Sequence, residues 1–244
     1  MRKYYYDLHI HSCLSPCGDD DNTPNNIAGM ASLSELDIIA LTDHNSTKNC
    51  KAFFDAARKY NLIPIAGMEL TTSEDIHVVC LFERLEDAIC FDEYLDAHRN
   101  KIKNRPNIFG NQTIYDSDDN PIGEVEDLLI NATSISITDV KEIVENHNGI
   151  CYPAHIDRDA NGIIAVLGAL PEDCPFEFYE LYDKAAVSTY SEKYKINADR
   201  FLIGSDAHYL TDFKDKENYF SLPDELCSEE EIRHALFKLL RRSR

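Results

Sequence analysis

The chain has 244 residues, with 24 Lys and Arg against 44 Asp and Glu, a formal charge of −20 with histidine neutral. So acidic a surface repels phosphodiester backbones and anionic headgroups, which excludes non-specific nucleic-acid and membrane binding. Hydrophobic residues at 43% exclude disorder, and no apolar run approaches the ~20 residues of a membrane span.

In chain order, short β-branched or apolar runs alternate with amphipathic stretches. A strand over Tyr4–Ile10 leads to a helix over Pro24–Leu36, a strand over Asp37–Leu41 and a helix over Ser46–Tyr60, with Ser46 as its expected N-cap. Strands over Ile63–Met68 and Ile76–Phe82 precede a helix over Leu85–Lys103. The stretch from 111 to 126 breaks the rhythm: Gln112–Tyr115 and Ile122–Val125 flank a turn rich in Asp, Asn and Pro, the pattern of an inserted β-hairpin. A helix over Thr138–Asn146, capped by Thr138, then leads to a strand over Ile150–Pro153 and a helix over Gly162–Leu170. Strands over Phe176–Tyr179 and Phe201–Ile203 enclose a helix over Ser188–Tyr194. The last helix, Ser228–Arg242, opens on Ser228 with Glu229, Glu230 and Glu231 at the positive end of its dipole.

No linker divides the chain, so one domain over 1–244 is expected. Alternating β and α elements favour a largely parallel sheet. The first strand ends in His9-Ile10-His11 where a dinucleotide fold would carry GxGxxG, which favours a barrel. The eight cysteines are scattered, so free thiols are expected, and the CxxxC of Cys13 and Cys17 lacks a second pair to complete a cysteine zinc site. The N-terminus reaches Asp7 and two histidines before any apolar signal region, and a cytoplasmic protein is expected.

In barrels the chemistry sits where strands meet their following loops. A side-chain period of two puts Asp7, His9 and His11 on one face, with Asp7 a candidate acceptor for a histidine N–H. The next strands end in Thr42-Asp43-His44, in Glu69, in His155 and in Ser205-Asp206-Ala207-His208. Five strand ends that each deliver His, Asp or Glu point to a site of several metals, with donors that suit zinc, manganese or iron. His77 starts a strand, which is awkward in a strictly parallel barrel.

HxH near the N-terminus, TDH after the second strand, a Glu ending the third, isolated histidines and a late GSDAH together resemble the PHP (polymerase and histidinol phosphatase) superfamily from Asp7 to His208. The resemblance implies a distorted (β/α)7 barrel whose mouth holds two or three divalent ions. By motif, His9, His11, Glu69 and Asp206 resemble first-metal ligands, and Glu69 bridges to a second metal on His77 and His155. The third would take His44, His208 and a residue of the first loop. Anchoring on Thr23-Pro24 selects Asp19, with Asp20 next, whereas counting from HxH lands near Cys17. The expectation is Asp19. Three divalent ions would exceed the charge of Glu69, Asp206 and Asp19 and leave a cationic mouth.

The implied reaction is phosphate-ester hydrolysis by a metal-activated water, without a protein nucleophile. Asp43 and His155 are the candidates for supporting the metal ligands or for proton transfer, and Arg158 resembles a substrate-phosphate arginine, with Lys184, Arg200 and Tyr209 as weaker candidates. The expected substrate is a small phosphomonoester, such as a nucleotide or a sugar or amino-alcohol phosphate, rather than a long nucleic acid. A phosphodiesterase or 3′-exonuclease, an amidohydrolase and a non-catalytic metal-binding domain are the alternatives.

Overall fold

The computed structural model describes residues 1–171 and 176–241; Cys174, Arg242, Ser243 and Arg244 lie outside them. The chain runs β1 (Arg2–Asp7), α1 (Pro24–Leu33), β2 (Ile38–Leu41), α2 (Cys50–Lys59), β3 (Ile63–Thr71), β4 (His77–Phe82), α3 (Leu85–Asp96) and α4 (Pro106–Phe109). It continues through β5 (Thr113–Tyr115), β6 (Pro121–Glu124), α5 (Val140–Asn146), β7 (Gly149–Pro153), α6 (Ile163–Leu167) and β8 (Tyr179–Leu181). It ends with α7 (Val187–Tyr194), β9 (Phe201–Ile203), β10 (Tyr219–Leu222) and α8 (Glu229–Arg241).

Six strands form one curled sheet in the order β10-β1-β2-β3-β4-β7. β8 and β9 form a parallel ribbon that lies between β7 and the end of β1. On one side Ile156 N–H donates to Glu180 O at 2.9 Å, and on the other His11 N–H donates to Ala207 O at 2.9 Å. The result is a barrel of mixed α/β type in which β1, β2 and β3 run parallel and β4 runs against its neighbours. That reversal explains His77. The β3–β4 connection is a tight turn in which Thr72 N–H bonds Ile76 O and Asp75 adopts φ 62°, a left-handed conformation that Asp tolerates. The first residue of β4 therefore lies beside the last of β3, and the ladder carries β3 past Met68 to pair Thr71 with His77.

Two apolar clusters sandwich the sheet. Ile38, Ala40, Ile63, Ile65, Val79 and Leu81 pack with Leu236 and Phe237 of α8, while Ile39, Leu41, Met68 and Val78 pack with residues of α1, α2 and α3. Successive strand residues alternate between the clusters, as a sheet buried on both faces requires. α8 starts on a reciprocal cap, in which Ser228 Oγ accepts the Glu231 N–H and Glu231 Oε2 accepts the Ser228 N–H, each at 3.1 Å.

Several local expectations are corrected. β10, absent from the sequence reading, pairs antiparallel with β1. The penultimate barrel strand is Tyr179–Leu181, set by its register with Phe201–Ile203, and not Phe176–Tyr179. Ser46 does not cap α2, because Ser46 Oγ and the Thr47 N–H and hydroxyl are drawn to buried Asp92. Thr138 does not cap α5; Ser136 Oγ accepts the Asp139 N–H instead. The helix from Leu85 stops at Asp96 because Arg99 turns back to donate to Asn45 O, and 99–103 bridges to residues 127 and 133. β5 and β6 pair antiparallel in the stretch where a hairpin is expected. Their turn is strapped to α1 by Thr23 Oγ1–H donating to Asp119 at 2.6 Å.

Candidate metal centre

His9 and His11 follow β1, His44 follows β2, Glu69 lies in β3, His77 opens β4, His155 follows β7, and Asp206 and His208 follow β9. Glu69 is their hub. Its Oε1 lies 2.9 Å from His77 Nδ1, 3.1 Å from His155 Nε2 and 3.3 Å from His9 Nε2. Its Oε2 lies 3.2 Å from His44 Nδ1 and 3.3 Å from His11 Nε2. Asp206 Oδ1 is 3.2 Å from His11 Nε2 and 3.4 Å from His9 Nε2. Asp206 and His155 reach these positions through left-handed backbone, φ 50° and 27°, a strain of about 1–3 kcal/mol each that the surrounding contacts must offset.

The donor set fits cations better than it fits a hydrogen-bonded core. His9 Nε2 and His11 Nε2 face each other at 3.1 Å, and His44 Nδ1, His155 Nδ1 and Asp206 Oδ1 are buried without a hydrogen-bond partner. Such orphans are costly in a packed interior, and divalent ions bound among them would offset that cost. Three groups have donor atoms within 4.8 Å of one another: His9, His11, Glu69 and Asp206; His44, Glu69 and His77; and His11, Cys17, His44 and His208.

The third group holds Cys17 where Asp19 is expected. Asp19 turns its carboxylate to the Asp21 N–H at 2.9 Å, and Asp20 is exposed. Cys17, two residues earlier, lies among the imidazoles. The cause is the winding of the loop. Gly18 packs so closely that a Cβ there would sit 2.3 Å from Ser12 O, and Asp19 N–H is tied to His208 O at 2.9 Å.

Asp43 lies against Ser12 and Ser15. It is buried behind His11, where it accepts from Ser12 N–H and from the hydroxyls of Ser12 and Ser15, each at 2.7 Å. Ser15 Oγ in turn lies 3.0 Å from His11 Nδ1, so Asp43 steadies His11 through a hydroxyl. Asp7 does not meet an imidazole either: its Oδ1 accepts the His9 and Ser205 backbone N–H groups. The expected alternation fails once β1 ends at Asp7, for Leu8 and Ile10 pack in opposite clusters.

The carboxylate that does hold an imidazole is Glu180, in β8, which the sequence reading missed. Its Oε1 is 2.8 Å from His9 Nδ1 and accepts the His155 N–H at 3.1 Å. The signal lay in the late motif. A Cβ at Gly204 would meet Glu180 Oε2 at 2.5 Å, so a side chain there would displace the carboxylate.

Arg158 reaches the centre. Its Nη1 lies 2.7 Å from Asp206 Oδ2 and its guanidinium stacks 4.1 Å from the Tyr182 ring centroid, with Lys214 Nζ at 4.2 Å from the same ring. Lys184 instead donates to Glu217 O, Arg200 lies over Phe178, and Tyr209 is exposed at the rim.

Charge follows geometry. Burial lowers the basicity of His9 and His11, but the surrounding carboxylates outweigh it; His9 stays well above the ordinary range and His11 is pushed up to about 9. Burial alone would raise Glu69 and Asp206, yet the imidazoles hold both well below the usual carboxylate range. Burial depresses His44 strongly and His208 to about 4. Buried Asp43 is raised.

A family model described as PHP domain matches residues 7–222. No curated protein matches by sequence. Among solved structures, the lesion-specific endonuclease PfuEndoQ from Pyrococcus furiosus is similar at 18% identity and TM-score 0.66, over 98% of this chain and 56% of that one. Endonuclease Q in complex with a 27-mer duplex substrate bearing an abasic lesion gives 19% identity, TM-score 0.66, and 98% and 57% coverage. A protein described as a metal-dependent phosphoesterase, from Bifidobacterium adolescentis, gives 17% identity and TM-score 0.59 over 96% of each chain. The chain thus spans a little over half the length of the endonuclease it matches, and at these identities the likeness is one of fold.

Proposed function

The chain belongs to the PHP domain family, and from that premise we propose that it is a phosphatase that hydrolyses a small phosphomonoester at a centre of two or three divalent ions. The observation that carries the reading is the Glu69 carboxylate, with five imidazole nitrogens within 3.3 Å of its two oxygens. One carboxylate cannot satisfy five imidazoles, whereas together they would hold divalent ions. Zinc, manganese or iron each suits His and carboxylate donors. When bound, such ions polarise phosphoryl oxygens and lower the pKa of water toward ~7.

The chain's own groups supply the rest. His9, His11, Glu69 and Asp206 form one subsite, and His77 and His155 join Glu69 in a second. His44 and His208 line the side nearest the first loop. Ser12 and Ser15 donate to Asp43 and Ser205 donates to His9 O, so these three hydroxyls are engaged with the protein. In this reading the attacking group is a water activated at the metal centre. Arg158 spends one N–H on Asp206 and keeps the others for a phosphate at the mouth. The Arg158–Tyr182–Lys214 stack gives an anion a cationic approach in an otherwise acidic molecule.

A phosphodiester in a nucleic-acid strand is the second reading, favoured by the likeness to an endonuclease crystallised on duplex DNA over 98% of this chain. Protein loaded with Mn²⁺ or Zn²⁺ and offered p-nitrophenyl phosphate, a panel of phosphomonoesters, bis-(p-nitrophenyl) phosphate and a lesion-bearing duplex separates the two. Turnover of monoesters supports the phosphatase. Turnover confined to the diester or the duplex replaces it with the second reading.

A further inference from the structure

We propose that Cys17 is a thiolate ligand of the subsite formed with His44 and His208, and that it makes this subsite selective for zinc over manganese. The inference rests on the metal centre described above but not on the choice of substrate. The remaining subsites offer imidazole and carboxylate donors, a set that zinc, manganese and iron all accept. Here the donors are two imidazoles and a sulfur, with His11 close by, and all four atoms lie within 4.8 Å of one another. Among the described residues no carboxylate belongs to this group. Sulfur disfavours manganese and magnesium, and three protein ligands leave a zinc ion one open position for water or a phosphate oxygen.

The second observation is His44. Its ring is buried and its Nδ1 has no hydrogen-bond partner, although Glu69 Oε2 is 3.2 Å away. His208 is arranged to complement it: Nδ1 bonds Asp206 O at 2.7 Å, which leaves Nε2 as the nitrogen for a metal. The loop that carries Cys17 is pinned from both sides. Asn22 Nδ2 donates to His11 O at 3.1 Å and to His208 O at 2.8 Å, and Gly18 leaves no space for a side chain against Ser12 O. The sulfur is thus held in place by backbone contacts to two of its neighbours. Binding replaces the thiol S–H by an S–metal bond, and the proton passes to solvent.

Cobalt substitution of the full chain tests this. Wild-type protein loaded with Co²⁺ should show a thiolate-to-cobalt charge-transfer band in the near ultraviolet, which Cys17→Ser should lose while its cobalt d–d bands persist. Under equal Zn²⁺ and Mn²⁺, Cys17→Asp should move the third equivalent from zinc toward manganese by about tenfold. Alkylation by iodoacetamide, read by mass spectrometry, should slow at Cys17 when zinc is added, while exposed Cys90 and Cys227 react unchanged. A band that survives Cys17→Ser, or full cobalt loading without a band, overturns the proposal and leaves the rest of the centre standing. Failure of wild-type protein to bind any cobalt would instead overturn the metal centre itself.

Discussion

Glu180 and His9 meet at 2.8 Å inside the barrel, both shielded from solvent, with the carboxylate on Nδ1 and therefore Nε2 facing Glu69 and Asp206. The pair sets which nitrogen of His9 is offered to a metal. Glu180→Gln keeps an oxygen acceptor and should cost about tenfold in metal affinity, whereas Glu180→Ala should cost up to about a hundredfold. Titration with zinc and a competing chelator measures both. Equal affinity in wild type and Ala variant would show that His9 needs no such support.

Ser15 and Asp43 do for His11 what Glu180 does for His9. Ser15→Ala removes the hydroxyl between them and should weaken metal binding by about tenfold with little change in the unfolding midpoint. A loss of activity without loss of metal would return Asp43 to a direct chemical role.

Arg158 has two tasks, and two variants separate them. Arg158→Lys keeps a charge near Asp206 but loses the planar fork, so kcat/KM for a phosphomonoester should fall by about tenfold or more while metal content holds. Arg158→Ala should additionally free Asp206 Oδ2 and reduce occupancy. Metal analysis beside steady-state kinetics distinguishes these outcomes, and an unchanged kcat/KM in both variants would remove Arg158 from substrate binding.

The Ser228–Glu231 cap stands far from this chemistry. Ser228→Ala should cost about 1 kcal/mol in urea unfolding and leave kcat alone. Because α8 closes one apolar cluster through Leu236 and Phe237, a change in turnover would mean that the two ends of the barrel are coupled.

Much of the centre was legible because it is built on strand ends, where an apolar run followed by His, Asp or Glu shows in one dimension. His9, His11, His44, Glu69, His155, Asp206 and His208 all carry that mark. Glu180 did not, since it lies among apolar neighbours with nothing in its own segment to pair it with a residue 171 positions away. Cys17 and Asp19 differ by two places in a loop whose path depends on Gly18 meeting Ser12 O, a close approach that spacing does not encode. The reversal of β4 was visible only as the discomfort of His77 at a strand start.

The ribbon of β8 and β9 touches its neighbours through few backbone bonds, and much of what spans the gap to β1 is side-chain chemistry: Ser205 on Asp7, Tyr6 OH on the Ile203 N–H, and the facing ligands themselves. A cation shared by His9, His11 and Asp206 would therefore act as a clasp as well as a reagent, closing a hoop whose hydrogen-bonded staves leave one side open. Stripping metal should then loosen the molecule from that side, with amide exchange rising in Tyr179–Leu181 and Phe201–Ile203 before the curled sheet opposite gives way.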